Sequence, residues 1–217
     1  MTEIARARNR RGEGGRLREE ILAGATELLE ETGSEDAVTL RAIARQVGIS
    51  APSIYAHFPD REAIVDAIVD SAFRDFNTAI YSAIEAVTDP LARLRAGCAA
   101  YLRFAAERPN RYKLLFDRHH LISSPEQPVP SIRTESFDWL VQSVQACAEA
   151  GLTPSKDPYL DSTAIWAALH GYATLHARLD AFPWPAEDAM LARIVCGLAG
   201  ITPGVFRPGG AERAFTQ

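Results

Sequence analysis

Residues 39–58, TLRAIARQVGISAPSIYAHF, constrain the fold more than any other stretch of this chain. Leu40, Ile43, Ala44 and Val47 recur at i, i+3, i+4 and i+7, the spacing of one buried helical face. Thr39 stands just before them as an N-cap. Gly48 admits the left-handed backbone that ends a helix, and Ile49 then returns to the core. Ser50 is a good N-cap for a second helix, and Pro52 is tolerated in a first turn whose N–H groups have no helical partner. Ile54 and Phe58 bury that second helix and leave Ala51, Pro52, Ser53 and Ala56 facing outward. A helix, a tight turn and a short second helix in this order make a helix-turn-helix, the motif whose second helix lies in the DNA major groove. Two helices that merely pack together can produce the same spacing.

The remainder of the chain continues the helical pattern. No period-2 run bounded by turn clusters is found, so an all-α fold of about nine helices is predicted. Leu17, Ile21, Leu22, Ala25, Leu28 and Leu29 stripe a first helix over 16–32, which Gly33 ends. After the motif, a long helix starts at the plausible N-cap Asp60 and is predicted to run to Val87. Asp89-Pro90 opens the next helix with a cap followed by proline at the first helical position, and Pro109 closes it. Its stripe is Leu91, Leu94, Cys98, Tyr101 and Ala105. A short helix over 110–118 precedes a loop over 119–130 that carries Pro125, Pro128 and Pro130. Helices near 131–150, 158–181 and 186–200 complete the fold.

At 217 residues the chain has room for one large domain or two small ones. No apolar run approaches the ~18 residues of a membrane span, and no export signal is visible. A cytoplasmic protein with no membrane partner is therefore expected. Cys98, Cys147 and Cys196 are odd in number and form no CxxC pair, so they read as small buried hydrophobes. The net charge of −5 hides a local excess: residues 1–18 hold six arginines (Arg6, Arg8, Arg10, Arg11, Arg16 and Arg18) against Glu3 and Glu13. Such an arm suits phosphate contact or minor-groove insertion, or is simply a solvated tail. The acidic remainder does not argue against DNA binding, which needs only a local basic face.

Residues 16–75 resemble the TetR family of bacterial transcriptional regulators. The likeness is carried by a helix ending in Gly33, then VTLRAIARQVGIS, then APSIYAHFPDREAIVDAI, with the run Ile-Tyr-x-His-Phe-x-x-Arg-Glu-x-Ile at 54–64. A shorter likeness, Trp166-Ala-Ala-Leu-His170-Gly171, is to the Trp-His-Gly type of C-terminal domain in one branch of that family. The resemblance implies a basic arm over 1–15, a DNA-binding domain over 16–75, a ligand-binding and dimerisation domain over 76–201, and a tail over 202–217. The boundary is expected inside the long helix that starts at Asp60, a rigid connection able to carry a tilt between domains.

The resemblance also implies roles for single residues. Ala51, Pro52 and Ser53 match positions that face base edges, but being small they offer only apolar contact to thymine methyls and one hydroxyl. Arg41 matches a position that often reaches a base, and arginine on guanine is the commonest specific contact; as half of the i, i+4 pair Arg41 and Arg45 it can equally be a solvated face. Tyr55 and His57 match phosphate contacts, or pack at the hinge. Thr39 is a cap that can also donate to a phosphate. Arg61 stands where the family usually has lysine and keeps the charge there. One such motif makes few contacts, so a homodimer on a palindromic operator in double-stranded DNA is expected, with the apolar helix over 158–181 (Ile165, Trp166, Leu169, Tyr172 and Leu175) pairing with that over 186–200.

Beyond residue 80 the chemistry is less specific. Tyr101, Phe104, Phe137, Trp139 and Trp166 can enclose an aromatic cavity, with His170 as a polar handle and Gly171 admitting a close neighbour; equally they are plain core. Family likeness suggests a small, mostly apolar effector that releases a repressor from DNA. No GxSxG, HExxH, P-loop or Rossmann fingerprint occurs, and His119-His120 has no carboxylate or cysteine at metal-ligand spacing. Neither enzymatic activity nor a cofactor or metal is expected. The rival reading is a helical ligand carrier or enzyme in which the helix-turn-helix is only packing.

Overall fold

Satisfying helix ends and sealing apolar stripes account for most of the architecture in the computed structural model, which describes residues 14–117 and 130–201. The described residues contain nine α-helices and no strand. The His119-His120 pair, the basic arm before residue 14, most of the 119–130 loop and the tail after 201 lie outside the described residues.

The chain divides into two compact units. The first takes the residues up to Phe73, together with a segment from Asn110. Helix α1 (Gly14–Thr32) buries Ile21, Ala25 and Leu29, one stripe at i, i+4 and i+8. Gly33, at φ 62°, ends it and donates its N–H to the Leu29 carbonyl at 2.8 Å. Helix α2 (Leu40–Val47) is capped by Thr39, whose hydroxyl accepts from the Ala42 N–H at 3.1 Å. It closes at Gly48, φ 72°, with the Ile49 N–H returning to the Ala44 carbonyl at 2.9 Å. Gly24 lets α1 and α2 approach closely: a Cβ there would lie 2.7 Å from Cγ2 of Val47. Helix α3 (Ala51–Ile54) has four residues, and Ile54 with the nearby Phe58 seals it to the core. Ser50 does not cap it through its side chain, contrary to expectation; the hydroxyl instead bonds that of Ser53 at 2.7 Å.

Helix α4 (Arg61–Ile84) begins at Asp60, which accepts from the Ala63 N–H at 2.8 Å, and ends three residues before the expected Val87. The division between units falls inside it, at Phe73 and Arg74. Helix α6 (Pro109–Asp117), predicted within the larger domain, belongs to the first unit instead. The reason is polar: the Asn110 amide donates to the Glu30 carbonyl at 2.9 Å and Arg111 pairs with the Glu30 carboxylate, so α6 satisfies the last turn of α1.

The second unit is built around α5 (Pro90–Glu107), capped by Asp89, which accepts from the Ala92 N–H at 2.7 Å. Arg93 on α5 reaches back to the Ile84 carbonyl at 3.3 Å and so closes the end of α4. Phe76 of α4 meets Tyr101 and Phe104 edge-on at 5.3 and 5.2 Å. Helix α7 (Ser131–Glu149) lays Trp139 directly over Gly97: a Cβ on that glycine would lie 1.9 Å from Cη2 of the indole. The expected close neighbour at Gly171 is not found among the described residues, since nothing comes within 4 Å of a Cβ built there; on the long helices of the second unit the close approach is at Gly97.

Helix α8 (Pro158–His176) stops five residues short of the expected 181. Trp184 folds back on this end: its indole N–H donates to the Leu179 carbonyl at 3.1 Å and its ring packs against Tyr172, His176 and Phe182. Helix α9 (Glu187–Leu198) comes next. Of the residues expected to face a partner copy, Ile165, Leu169 and Tyr172 are buried within their own chain, whereas Leu175 is half-exposed.

Gly97→Ala is expected to lower stability by about 2 kcal/mol through overpacking, although alanine normally favours a helix interior. Chemical unfolding checks this, and Trp139→Phe added to Gly97→Ala should recover part of the loss.

Candidate nucleic-acid interface

Thr39, Arg41, Arg45, Pro52, Tyr55 and Ala56 are exposed, while Ala51, Ser53 and His57 are half-buried. The cause is local: α2 turns Ile43 and Ala44 inward and α3 turns Ile54 inward, so the intervening positions face solvent. Tyr55 is 58% exposed, leaving its hydroxyl accessible. Arg41 makes no ion pair among the described residues, so its five donors remain available. Ser53 is half-committed through its bond to Ser50. The first unit thus brings together Thr39, Arg41, Ala51, Pro52, Ser53, Tyr55 and His57 on neighbouring turns of α2 and α3.

Arg61 behaves differently from its neighbours. Its guanidinium is turned onto its own chain: Nε donates to the Val38 carbonyl at 2.8 Å and Nη2 to the Glu35 carbonyl at 2.6 Å, while Nη1 bonds Glu62 Oε1 at 2.7 Å. Two of the six N-terminal arginines are described, and both lie on α1. Arg16 pairs with Glu20 at 3.1 Å, and the Arg18 guanidinium sits 4.7 Å above the Phe58 ring, bracing the end of the motif.

In the second unit the five ligand candidates fall into separate groups. Tyr101 and Phe104 are buried against Phe76, and Trp139 against Gly97. Trp166 and His170, both half-buried, form another group with Phe137 and Tyr159; the Phe137–Trp166 centroids are 5.9 Å apart. A cavity of about 230 Å³ lies between α4 and α5, lined by Asp75, Thr78, Arg103, Phe104, Glu107 and Arg108 among others, and so meets only Phe104 of the five. Four buried groups escaped the sequence reading: the Trp139 indole N–H, the Ser155 and Ser162 hydroxyls and the Asn77 Oδ1 have no hydrogen-bond partner among the described residues. The Asn77 amide N–H₂ does, donating to the Ile132 carbonyl at 2.9 Å and to Glu135 at 3.2 Å. An asparagine between the aromatics and isoleucines of a core helix is the signal that could have found it. Burial pushes the Cys98 thiol up to about 12 and that of Cys147 to about 11, so both stay protonated and inert as nucleophiles. No helix among the described residues is long and apolar enough to cross a membrane.

An all-helical chain with an exposed α2–α3 face of this kind is a helix-turn-helix DNA-binding regulator. The profile of the family described as "Bacterial regulatory proteins, tetR family" matches residues 21–68, and that described as "Tetracyclin repressor-like, C-terminal domain" matches residues 94–198. Together these matches cover well over half of the chain, and the protein belongs to the TetR family of transcriptional regulators. It is similar to the nucleoid occlusion factor SlmA of Photobacterium profundum, 28% identical over 160 residues that span 71% of this chain and 78% of that protein. It is similar in structure to a protein of unknown function from Rhodococcus sp. RHA1, with a TM-score of 0.72 and 28% identity over 92% of this chain and 99% of that one. AibR, solved with isovaleryl coenzyme A and operator DNA, shares the fold at a TM-score of 0.64 and 16% identity, over 85% of this chain and 99% of its own. The C-terminal match does not specify the Trp-His-Gly subtype.

Proposed function

We propose that the protein is a ligand-responsive repressor that binds a palindromic operator as a homodimer in the cytoplasm. The observation that carries the DNA-binding part is the uncommitted Arg41 guanidinium on an exposed α2–α3 face. In this reading Arg41 reads a base, while Thr39, Tyr55 and His57 hold phosphates. Ala51, Pro52 and Ser53 supply close apolar contact with little sequence information of their own, so DNA shape carries part of the preference. The experiment is to recover genomic fragments with the purified protein and measure binding to the selected duplex. Arg41→Ala should cost about 1–3 kcal/mol at one base position per half-site and relax the preference there. An unchanged ranking of mutated operators would remove its base-reading role. No binding to any duplex, together with turnover of a substrate, would favour the carrier or enzyme reading.

Dimerisation is supported by apolar residues left uncovered on α8, the turn after it and α9. Tyr159 is 65% exposed, Leu160 62%, Phe182 51% and Leu175 50%, with Leu179 and Leu198 also exposed. Several large apolar side chains left exposed along one region of the chain are costly in water and mark a candidate interface. Light scattering at micromolar concentration should give twice the 23.7 kDa chain mass, and a monomeric mass there would sink the palindrome as well.

An effector, small and mostly apolar, is supported by the buried aromatics Phe76, Tyr101, Phe104 and Trp139 and by Trp139 N–H and Asn77 Oδ1, two of the buried polar groups that have no partner among the described residues. A ligand beside the indole would have to supply an acceptor, and one beside the amide oxygen a donor. AibR provides a precedent for this fold holding a small molecule and operator DNA. Release from DNA requires the ligand to prefer the non-binding arrangement; equal affinity for both would shift nothing. Helix α4, which supplies residues to both units, is the connection along which a tilt would pass. A thermal-shift screen of apolar metabolites, with gel-shift of every hit, tests this: hits that stabilise the protein while leaving operator binding intact would refute the switch alone.

A further inference from the structure

The start of α4 holds a cation that its surroundings have already claimed. Arg61 uses all three nitrogens of its guanidinium within the first unit, on the Val38 carbonyl, the Glu35 carbonyl and the Glu62 carboxylate, and the Glu35 carboxylate lies 3.6 Å from Nη2. The two carbonyls belong to the connector between α1 and α2, a single 3₁₀ turn over Glu35–Ala37 with Val38 after it, whose side chain is fully buried. Thr39, the next residue, is the cap of α2 and one of the proposed phosphate donors.

A planar fork with Nε and Nη2 on one edge suits two backbone carbonyls presented three residues apart. A lysine ammonium has three donors but radiates them from one point on a flexible stem, so it cannot reproduce the parallel pair of N–H groups along that edge. These donors already have close acceptors, and withdrawing them would leave two carbonyls of a tight connector without their charged partner.

We propose that Arg61 is a positioning residue for DNA binding rather than a phosphate contact. It buckles the α1–α2 connector to the first turn of α4 and thereby fixes where Thr39 and Arg41 meet DNA. This rests on the DNA-binding reading above. It accounts for the choice of arginine over lysine, since the site demands a fork as well as a charge. Because α4 continues past Phe73 into the second unit, the buckle also ties the first residue of that helix to the entry of α2.

The test compares Arg61→Lys and Arg61→Gln in the full-length protein, using a genomic duplex recovered by the wild type and a random duplex of equal length. Binding is measured over a salt series well below each variant's unfolding midpoint. Positioning predicts that both variants lose about tenfold or more on the selected duplex, lysine no better than glutamine, in line with losing hydrogen bonds from a charged group. It also predicts a salt slope for Arg61→Lys that matches the wild type. A phosphate contact predicts that lysine rescues binding, while Arg61→Gln lowers the slope on every duplex by about 0.9 per protomer, twice that for the proposed dimer. A purely structural role lowers the unfolding midpoint but leaves the affinity of the folded protein unchanged, and that too overturns the proposal. If Arg61→Gln does not fold, the lysine variant decides alone. Arginine side-chain NMR supplies a direct signature: the Arg61 Nε–H resonance should exchange slowly without DNA and stay in place when the selected duplex is added. A large shift on binding would mean that the side chain leaves the connector for the DNA. Failure of the wild type to bind any duplex would remove the DNA-binding reading itself, whereas lysine rescue removes only the role of Arg61.

Discussion

A helix of four residues cannot outlast its own nucleation cost in water, so α3 exists only because Ile54 and Phe58 are buried in the first unit. The proposed DNA contacts on α3 and just after it depend on that seal. Ser50 adds nothing to it through an N-cap bond, and no internal ladder is long enough to help. Burial holds α3, and Arg18 stacked over Phe58 adds to the same seal. Around it, α2 is pinned at one end by the Thr39 cap and at the other by Gly48. Apart from the Thr39 cap and the Ser50–Ser53 bond, the side chains that seal the motif are the apolar ones turned inward, Ile43, Ala44, Ile54 and Phe58.

The second unit solves a different problem, that of packing long helices with bulky aromatics. Gly97 is where space is made, since the missing Cβ lets the six-membered ring of the Trp139 indole press against α5. Phe76, Tyr101 and Phe104 meet as edge-to-face pairs, the arrangement ring quadrupoles favour. Such an interior carries few polar groups, which makes the unpaired Trp139 N–H and Asn77 Oδ1 conspicuous. The cavity between α4 and α5 is of another character, with two arginines and two carboxylates in its wall.

Much of this was legible from residue spacing because caps and periodic stripes are local signals. Thr39, Asp60 and Asp89 each accept the N–H three residues on, as their identity and place before an apolar stripe imply. The features that escaped depend on partners distant in sequence. Nothing near Asn110 announces that it will bond the Glu30 carbonyl 80 residues away, so α6 is misassigned by proximity along the chain. Trp184 folds back on the end of α8 from outside the helix and leaves no mark in the periodicity. Of two glycines on long helices, the one facing Trp139 cannot be told from the one facing nothing until α7 is in place. The same limit applies to the DNA face. Exposure of Arg41 follows from helical phase, but an arginine at Arg61 reads alike whether it faces phosphate or its own backbone.

The membership of α6 has a consequence for how this architecture can be recombined. The first unit is not one continuous piece of chain: Asn110 and Arg111 return to it after the first helix of the second unit is complete. A single crossover inside α4 would transplant a head whose α1 lacks its Glu30 partners, joined to a body carrying a helix fitted to another head. Exchange of sensing modules between relatives therefore favours partners whose α1 ends and α6 starts already match. For a lineage built by shuffling, that interleaving makes the two units heritable as a pair.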